Sequence, residues 1–125
     1  DQIITLYELA EKHIDNQSYD KSLKLLKKLT KREDLGTKRA DIYNLLGFSY
    51  RKLENPDLDK SFAAYMMAIE IDPSHLGAHE YLGELYLMRD QKDKAVIILK
   101  KLDQLAGSNT EEYRELKIAI DEYQS

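Results

Sequence analysis

Two eight-residue segments of this chain share one sequence pattern, which we call the phrase. They are residues 43–50 (YNLLGFSY) and residues 79–86 (HEYLGELY). Both copies place a ring first, then Leu and Gly together, then a Tyr at the eighth position. A repeat of roughly 20–50 residues is typical of stacked helix pairs, because one pair cannot bury its apolar face without a neighbour. The phrase therefore restricts the fold to helices stacked on helices.

Each copy of the phrase is followed by a second set of small, aromatic and aliphatic residues at helical spacing. The set reads Ser61, Tyr65, Ala68 and Pro73 after the first copy, and Ala95, Leu99 and Leu102 after the second. An earlier, weaker copy reads Leu6, Leu9, Ala10, His13, Ser22, Leu26 and Leu29, and a final half-unit reads Tyr113, Leu116 and Ile120. The whole pattern resembles the tetratricopeptide repeat (TPR), a helix-turn-helix unit of about 34 residues.

This resemblance implies an all-α fold, a right-handed α-solenoid of three TPR-type helix pairs with a C-terminal capping helix. We expect one domain over residues 1–125, with repeats at about 3–36, 40–75 and 76–109 and the capping helix at about 110–123. Extra residues in the first two units fit loops at 35–39 and 54–57. Asn109, with Glu112 three residues later, predicts the N-terminal cap of the last helix.

The glycines of the phrase predict where two helices approach closely. Gly47 and Gly83 leave room for a facing helix, and the small residues Ser22, Ser61 and Ala95 are expected opposite the phrase in their respective pairs. A larger side chain at such a glycine would overpack the contact, at a cost of about 1–3 kcal/mol.

Composition argues against several classes of function. The 125 residues include no cysteine, which excludes thiol nucleophiles, zinc–thiolate sites and disulfides. A net charge of −4 disfavours general binding to nucleic-acid phosphates, and no run of eighteen apolar residues predicts a membrane span. Nucleophile-elbow and glycine-rich phosphate motifs are absent from the sequence. We therefore predict no enzyme activity, no catalytic residues, no cofactor and no metal.

Two local patterns have a functional and a structural interpretation. His75 and His79 have the spacing of a metal-binding pair, but His79 also fills the ring position of its repeat, and packing explains it better. Residues 21–32 form a basic amphipathic segment that could dock on an acidic surface. Leu26 and Leu29 of that segment are required by the repeat, so a solvated lysine face is the better interpretation.

The resemblance further implies that the first helix of each pair lines a concave groove where a partner binds. The candidate groove residues are Tyr7, Glu11, Asn44, Phe48, Arg51, Lys52, Glu80, Glu84 and Leu87. Phe48 is large and apolar and fills no packing position, so we expect it to be an exposed binding anchor whose truncation leaves stability nearly unchanged. The groove is mixed in charge, because Arg51 and Lys52 suit an acidic group whereas Glu80 and Glu84 suit a basic one.

These features predict a non-enzymatic interaction module that binds a peptide or a partner subunit in the groove. The alternative is a self-associating scaffold, in which copies of the chain meet through Phe48, Leu87 and Met88 or through the last helix. Concentration-dependent mass in solution separates the two hypotheses.

A looser resemblance bears on location. Residues 78–86 and 111–116 are similar to the end of small exported bacterial TPR proteins, which favours a periplasmic or exported protein over a cytoplasmic one. Those proteins often carry a cysteine pair before the last helix, where this chain has residues 107–110 (GSNT). The sequence starts at Asp1, so a removed leader peptide would leave no trace.

Overall fold

A computed structural model describes residues 2–124, and within that range the chain is helical without strands. Seven α-helices and one 3-10 turn make up this range: α1 (Gln2–Asp15), α2 (Tyr19–Thr30), the 3-10 turn (Gly36–Lys38), α3 (Arg39–Lys52), α4 (Leu58–Ile71), α5 (Leu76–Met88), α6 (Lys92–Ala106) and α7 (Glu111–Glu122). The helices pack in consecutive pairs. The prediction of an all-α, solenoid-type fold is confirmed.

The helices form two compact units, Asp1–Asp72 and Pro73–Ser125. In the first unit, α2 packs on α1 and α3, and α3 packs on α4. In the second unit, α5 packs on both α6 and α7, and α6 also contacts α7. A single domain over residues 1–125, with the repeat limits given above, stays a prediction, and Asp1 and Ser125 lie outside the described residues.

Each unit has its own apolar core, built from the leucines and small residues of the repeat pattern. The first core contains Ile3, Ala10, Leu26, Leu29, Leu35, Ile42, Leu46 and Ala64. The second contains Ala95, Leu102, Leu116 and Ile120. Burial of these side chains, at about 25 cal/mol per Å² of apolar surface, is the main favourable term that holds the helices together.

Two glycines of the repeated phrase lie where helices meet, but their neighbours differ. The Ser61 hydroxyl donates a 2.7 Å hydrogen bond to the Gly47 carbonyl, and the Tyr65 ring covers the Gly47 Cα. At Gly83 the closest side chain is that of Leu116 from α7. A side chain at Gly83 would meet α7 because α5 packs on α7 as well as on α6, and the expectation that Ala95 of α6 lies opposite Gly83 stays a prediction.

Three helices of the described chain begin with a side-chain cap. Asp57 accepts from the Lys60 amide at 3.1 Å, and His75 Nδ1 accepts from the Ala78 amide at 3.0 Å. For α7 the cap is Thr110, whose hydroxyl accepts from the Tyr113 amide at 3.2 Å. The predicted cap at Asn109 is therefore wrong by one residue. Asn109 Oδ1 instead accepts a 3.2 Å hydrogen bond from the Arg114 guanidinium.

Candidate protein-interaction faces

Phe48 is the centre of the candidate face in the first unit, and it is not the exposed ring that the sequence predicts. Its side chain is half-buried. The Tyr19 ring meets it edge to face, with the ring centroids 6.2 Å apart and the planes at 64°. Tyr19 opens α2, so the start of that helix covers one side of Phe48 on α3. An aromatic pair of this geometry contributes about 0.5–1.5 kcal/mol beyond the area it buries.

Two cations lie over the Phe48 ring. The Arg51 guanidinium carbon is 5.2 Å from the ring centroid and the Lys52 ammonium is 5.6 Å from it. Both follow Phe48 by three or four residues on α3, the spacing at which helix side chains meet. Contacts of this kind stabilise by about 0.5–1 kcal/mol each at exposed sites. We refer to Tyr19, Phe48, Arg51 and Lys52 as the aromatic–cation cluster.

The two cations of this cluster differ in their access to solvent. Arg51 is 7% exposed, whereas Lys52 is exposed. Only Lys52 therefore has a charged head with free access to a partner. The expectation that Arg51 would offer its charge on an open groove is wrong, since too little of its surface reaches solvent.

Asn44 lies one turn before Phe48 on α3 and is also buried, at 7% exposure. Its Oδ1 atom has no hydrogen-bond partner within the described part of the chain. A buried amide oxygen of this kind raises the cost of folding by about 1–3 kcal/mol unless something donates to it. Asn44 thus departs from the expected solvent-facing groove position.

Tyr7 and Glu11, the candidates on α1, remain accessible. The Lys38 ammonium is 4.5 Å from the centroid of the half-buried Tyr7 ring, which is a further cation–aromatic contact in this unit. Glu11 is exposed. Because α1 and α3 contact each other, these side chains and the aromatic–cation cluster belong to one unit.

The candidate face of the second unit is acidic. Glu80 and Glu84 lie one turn apart on α5, and a hydrogen bond joins their carboxyl groups. Burial raises the pKa of Glu80 well above its ordinary value. The hydrogen bond from Glu80 and the negative charges of Glu84, Glu112 and Glu115 raise it further. Glu80 therefore keeps a proton at pH values where an ordinary glutamate has lost it.

Leu87, the last groove candidate, packs against the core of the second unit and is half-buried. Its neighbour Met88 is 50% exposed. The apolar side chain that α5 offers to solvent at this end is thus Met88, and Leu87 contributes to packing.

His75 and His79 each serve α5 itself. His75 caps the helix, as described above, and its Nδ1 is occupied by the Ala78 amide. The buried His79 donates from Nε2 to the Pro73 carbonyl at 2.8 Å. This tautomer leaves His79 Nδ1 as a buried acceptor with no partner among residues 2–124. The rings therefore fix the entry into α5, which agrees with the packing interpretation of their spacing.

Sequence reasoning missed two surface features of the first unit. A polar cavity of about 350 Å³ lies beside the aromatic–cation cluster and is lined by Gln17, Tyr19, Asp20, Lys52, Leu53 and Glu54. An apolar groove lies between α3 and α4 and is considered below. No signal in the sequence joins Tyr19 to Phe48, because Tyr19 occupies no position of the repeat pattern.

Among residues 2–124, no three His, Asp or Glu side chains converge in a way that could hold a metal ion. The helices in the same range are too short or too polar to cross a bilayer.

Paired helices, a recurrent leucine–glycine phrase and helix faces with aromatic and charged side chains are features of a helical-repeat protein. No family model matches the chain. The chain is similar to tetratricopeptide repeat protein 37 of Xenopus laevis, with 33% identity over 92 residues, or 74% of this chain. The match spans only 6% of that relative's length. The similarity therefore supports a TPR-like repeat in this chain. It does not extend to the activity of the longer protein.

Proposed function

We propose that this chain is a non-enzymatic protein–protein interaction module that binds a peptide or a partner subunit. Its repeat pattern, its paired helices and its similarity to a TPR protein support the general class. The observation that carries the proposal is the aromatic–cation cluster, in which the exposed ammonium of Lys52 lies over the Phe48 ring. Arg and aromatic side chains are enriched among residues that dominate binding energies at protein interfaces.

The chemistry of each face indicates what it would bind. In the first unit, Lys52 lies above Phe48 and beside a cavity large enough for a partner's side chain, so an acidic residue next to an apolar one fits best. In the second unit, the charge of Glu84 favours a basic residue.

A matched pair of charge reversals tests this function. Peptides are first selected from a displayed random library on the wild-type chain, and their affinities are then measured by calorimetry. Lys52→Glu should weaken binding at least about tenfold, or 1.4 kcal/mol, because it replaces the exposed cation of the cluster. Lys100→Glu makes the same charge change at an exposed position on α6 and should leave affinity unchanged.

Two results would contradict the proposal. The first is a set of peptides whose affinities fall equally with Lys52→Glu and Lys100→Glu, since the cluster would then have no special role. The second is the failure of the library to yield any peptide that binds the folded chain. Higher salt should weaken the wild-type complex, because the Lys52 contact is exposed.

A scaffold that self-associates is the second candidate function, and one observation favours it. Ile118 on α7 is 50% exposed, although α7 already buries Leu116 and Ile120 against its own unit. Among the other proposed contacts between copies, Phe48 and Leu87 are half-buried and less available, whereas Met88 is 50% exposed.

A further inference from the structure

A shallow apolar groove runs along one side of the α3–α4 pair in the first unit. Its volume is about 240 Å³, and its lining is mostly aromatic and aliphatic: Tyr43, Leu46, Tyr50, Lys60, Ala63, Ala64 and Met67. Met67 is 36% exposed and Ala63 is also exposed, so the α4 side of the groove is open to solvent. We call this surface the α3–α4 groove.

A cation stands at each end of the α3–α4 groove. The Arg39 guanidinium carbon is 5.8 Å from the Tyr43 ring centroid, and the Lys60 ammonium is 5.8 Å from that of Tyr50. Tyr43 and Tyr50 are seven residues apart on α3, or about 10.5 Å along the axis. The groove therefore presents an apolar centre flanked by two positive charges, Arg39 beside Tyr43 and Lys60 beside Tyr50.

The outer face of α7 has the complementary pattern. Ile118 is 50% exposed, and Glu115 and Glu122 are both exposed, three residues before it and four residues after it. Residues at these spacings lie on one face of a helix. The two carboxylates are seven residues apart, again about 10.5 Å along the helix axis. This face thus presents an apolar side chain between two carboxylates, and the exposed Arg114 on the same face directs its guanidinium to Asn109 Oδ1.

We propose that the α3–α4 groove binds α7 of a second copy of this chain. Ile118 of one copy enters the groove of the other, and Glu115 and Glu122 lie beside the two cations, Arg39 and Lys60. The opposite charges fix the register, and the apolar side chain supplies the buried contact. This inference rests on the second candidate function, self-association through α7, and is independent of the peptide-binding faces, since it uses other residues and a different test.

The contact joins two different surfaces, so it is heterologous and each copy keeps one free groove and one free α7 face. Such contacts form open chains of molecules unless the rotation between copies closes a ring. The apolar contact rests on one side chain and the charges are exposed, so we expect weak association that grows with concentration and decreases with salt.

Complementary variants test the proposal directly. Ile118→Glu removes the apolar side chain from α7, and Ala63→Arg fills the groove at an exposed helix position with a good helix former. Sedimentation equilibrium should show a mass above that of the monomer for the wild type at high concentration. Each variant alone should be a monomer under the same conditions, with an unchanged helical spectrum.

An equal mixture of the two variants gives the decisive result. Ala63→Arg retains an intact α7 face and Ile118→Glu retains an intact groove, so the mixture should form a one-to-one dimer and no larger species. Ile97→Glu, at the 63%-exposed Ile97 on α6, is the matched control and should associate like the wild type. Moderate salt of about 0.5 M should weaken both the wild-type and the mixed complexes.

Three outcomes would overturn the proposal. A wild-type chain that stays monomeric at every concentration would mean that the groove takes a helix of another protein or none. Association that survives Ile118→Glu or Ala63→Arg would place the contact elsewhere. A mixture of the two variants that stays monomeric would exclude the pairing of groove with α7.

Discussion

The Tyr65 ring lies so close to Gly47 that a methyl group on Gly47 would be 2.7 Å from two of its carbons. Ordinary contacts between carbon atoms are about 3.5–4.0 Å. Tyr65 is fully buried, and the Ser61 carbonyl, 3.1 Å from the same point, closes the other side. This contact joins α3 and α4 in the first unit.

Gly47→Ala should therefore destabilise the chain although alanine is the better helix former. Overpacking costs about 1–3 kcal/mol, and the gain in helix propensity returns at most about 1 kcal/mol. We expect a net loss of about 1–2 kcal/mol in the free energy of unfolding, measured by urea titration. A variant as stable as the wild type would show that the Tyr65 ring can shift.

The sequence predicts the packing contacts of residues that belong to the repeat pattern, but it does not predict those of residues outside the pattern. Gly47, Ser61 and Tyr65 lie in register in the pattern, and the structure places them against one another as expected. Tyr19 lies outside the pattern, and its contact with Phe48 depends on how α2 begins beside α3. The repeat positions predict where helices pack against each other. The contacts of other side chains depend on tertiary geometry, which residue spacing does not encode.

The candidate face of the first unit is likewise only partly predictable from the sequence. The sequence identifies the helix positions of Phe48, Arg51 and Lys52 together, and the structure does bring these three side chains into contact. It does not predict which of them reach solvent, because burial depends on neighbouring helices. Asn44 and Arg51 are consequently buried, although the pattern indicates a solvent-facing position for both.

Gly83 and Leu116 should behave as a coupled pair. A methyl group on Gly83 would lie 2.6 Å from Leu116 Cδ2, and Leu116 is fully buried between α7 and the rest of its unit. Leu116→Ala alone should cost about 2–5 kcal/mol through the cavity it leaves. Gly83→Ala alone should also destabilise, because the leucine cannot move freely.

The double variant should cost less than the two single changes added together, by about 1 kcal/mol, because the new methyl group occupies part of the space that Leu116 vacates. Chemical unfolding of the four chains measures this coupling. Strict additivity would indicate that the two side chains do not meet and that α7 packs differently on α5.

Phe48→Ala should lower stability moderately, contrary to the expectation for an exposed ring. The change removes the edge-to-face contact with Tyr19 and the cation–aromatic contacts with Arg51 and Lys52. We expect a loss of about 1–2 kcal/mol, below the 3–5 kcal/mol typical of a fully buried phenylalanine.

Thermal unfolding of Phe48→Ala measures this loss, with Lys100→Ala as the control at an exposed position on α6. The control should stay within about 0.5 kcal/mol of the wild type. In a double-mutant cycle, Tyr19→Ala and Phe48→Ala should couple by about 0.5–1.5 kcal/mol. An unchanged unfolding midpoint for Phe48→Ala would mean that the Phe48 ring does not stabilise the fold and serves binding alone.

Glu80 should make the chain less stable as the pH rises. Its pKa in the folded chain is raised by burial and by Glu84, Glu112 and Glu115, whereas an unfolded glutamate titrates near 4.5. Above that pH the folded state holds a proton that the unfolded state has released. Unfolding then loses a proton, so rising pH favours the unfolded chain until Glu80 itself ionises in the fold.

Glu80→Gln should remove this dependence, because the amide is neutral at every pH and can still donate a hydrogen bond to Glu84. Urea unfolding at about pH 5 and about pH 9 should show the variant gaining stability over the wild type mainly at the higher pH. Glu8→Gln, the same change at an exposed position on α1, is the control and should leave the pH profile of the wild type nearly unchanged. Parallel pH profiles for wild type and Glu80→Gln would mean that Glu80 ionises normally, and the acidic face of α5 would then carry its full charge at neutral pH.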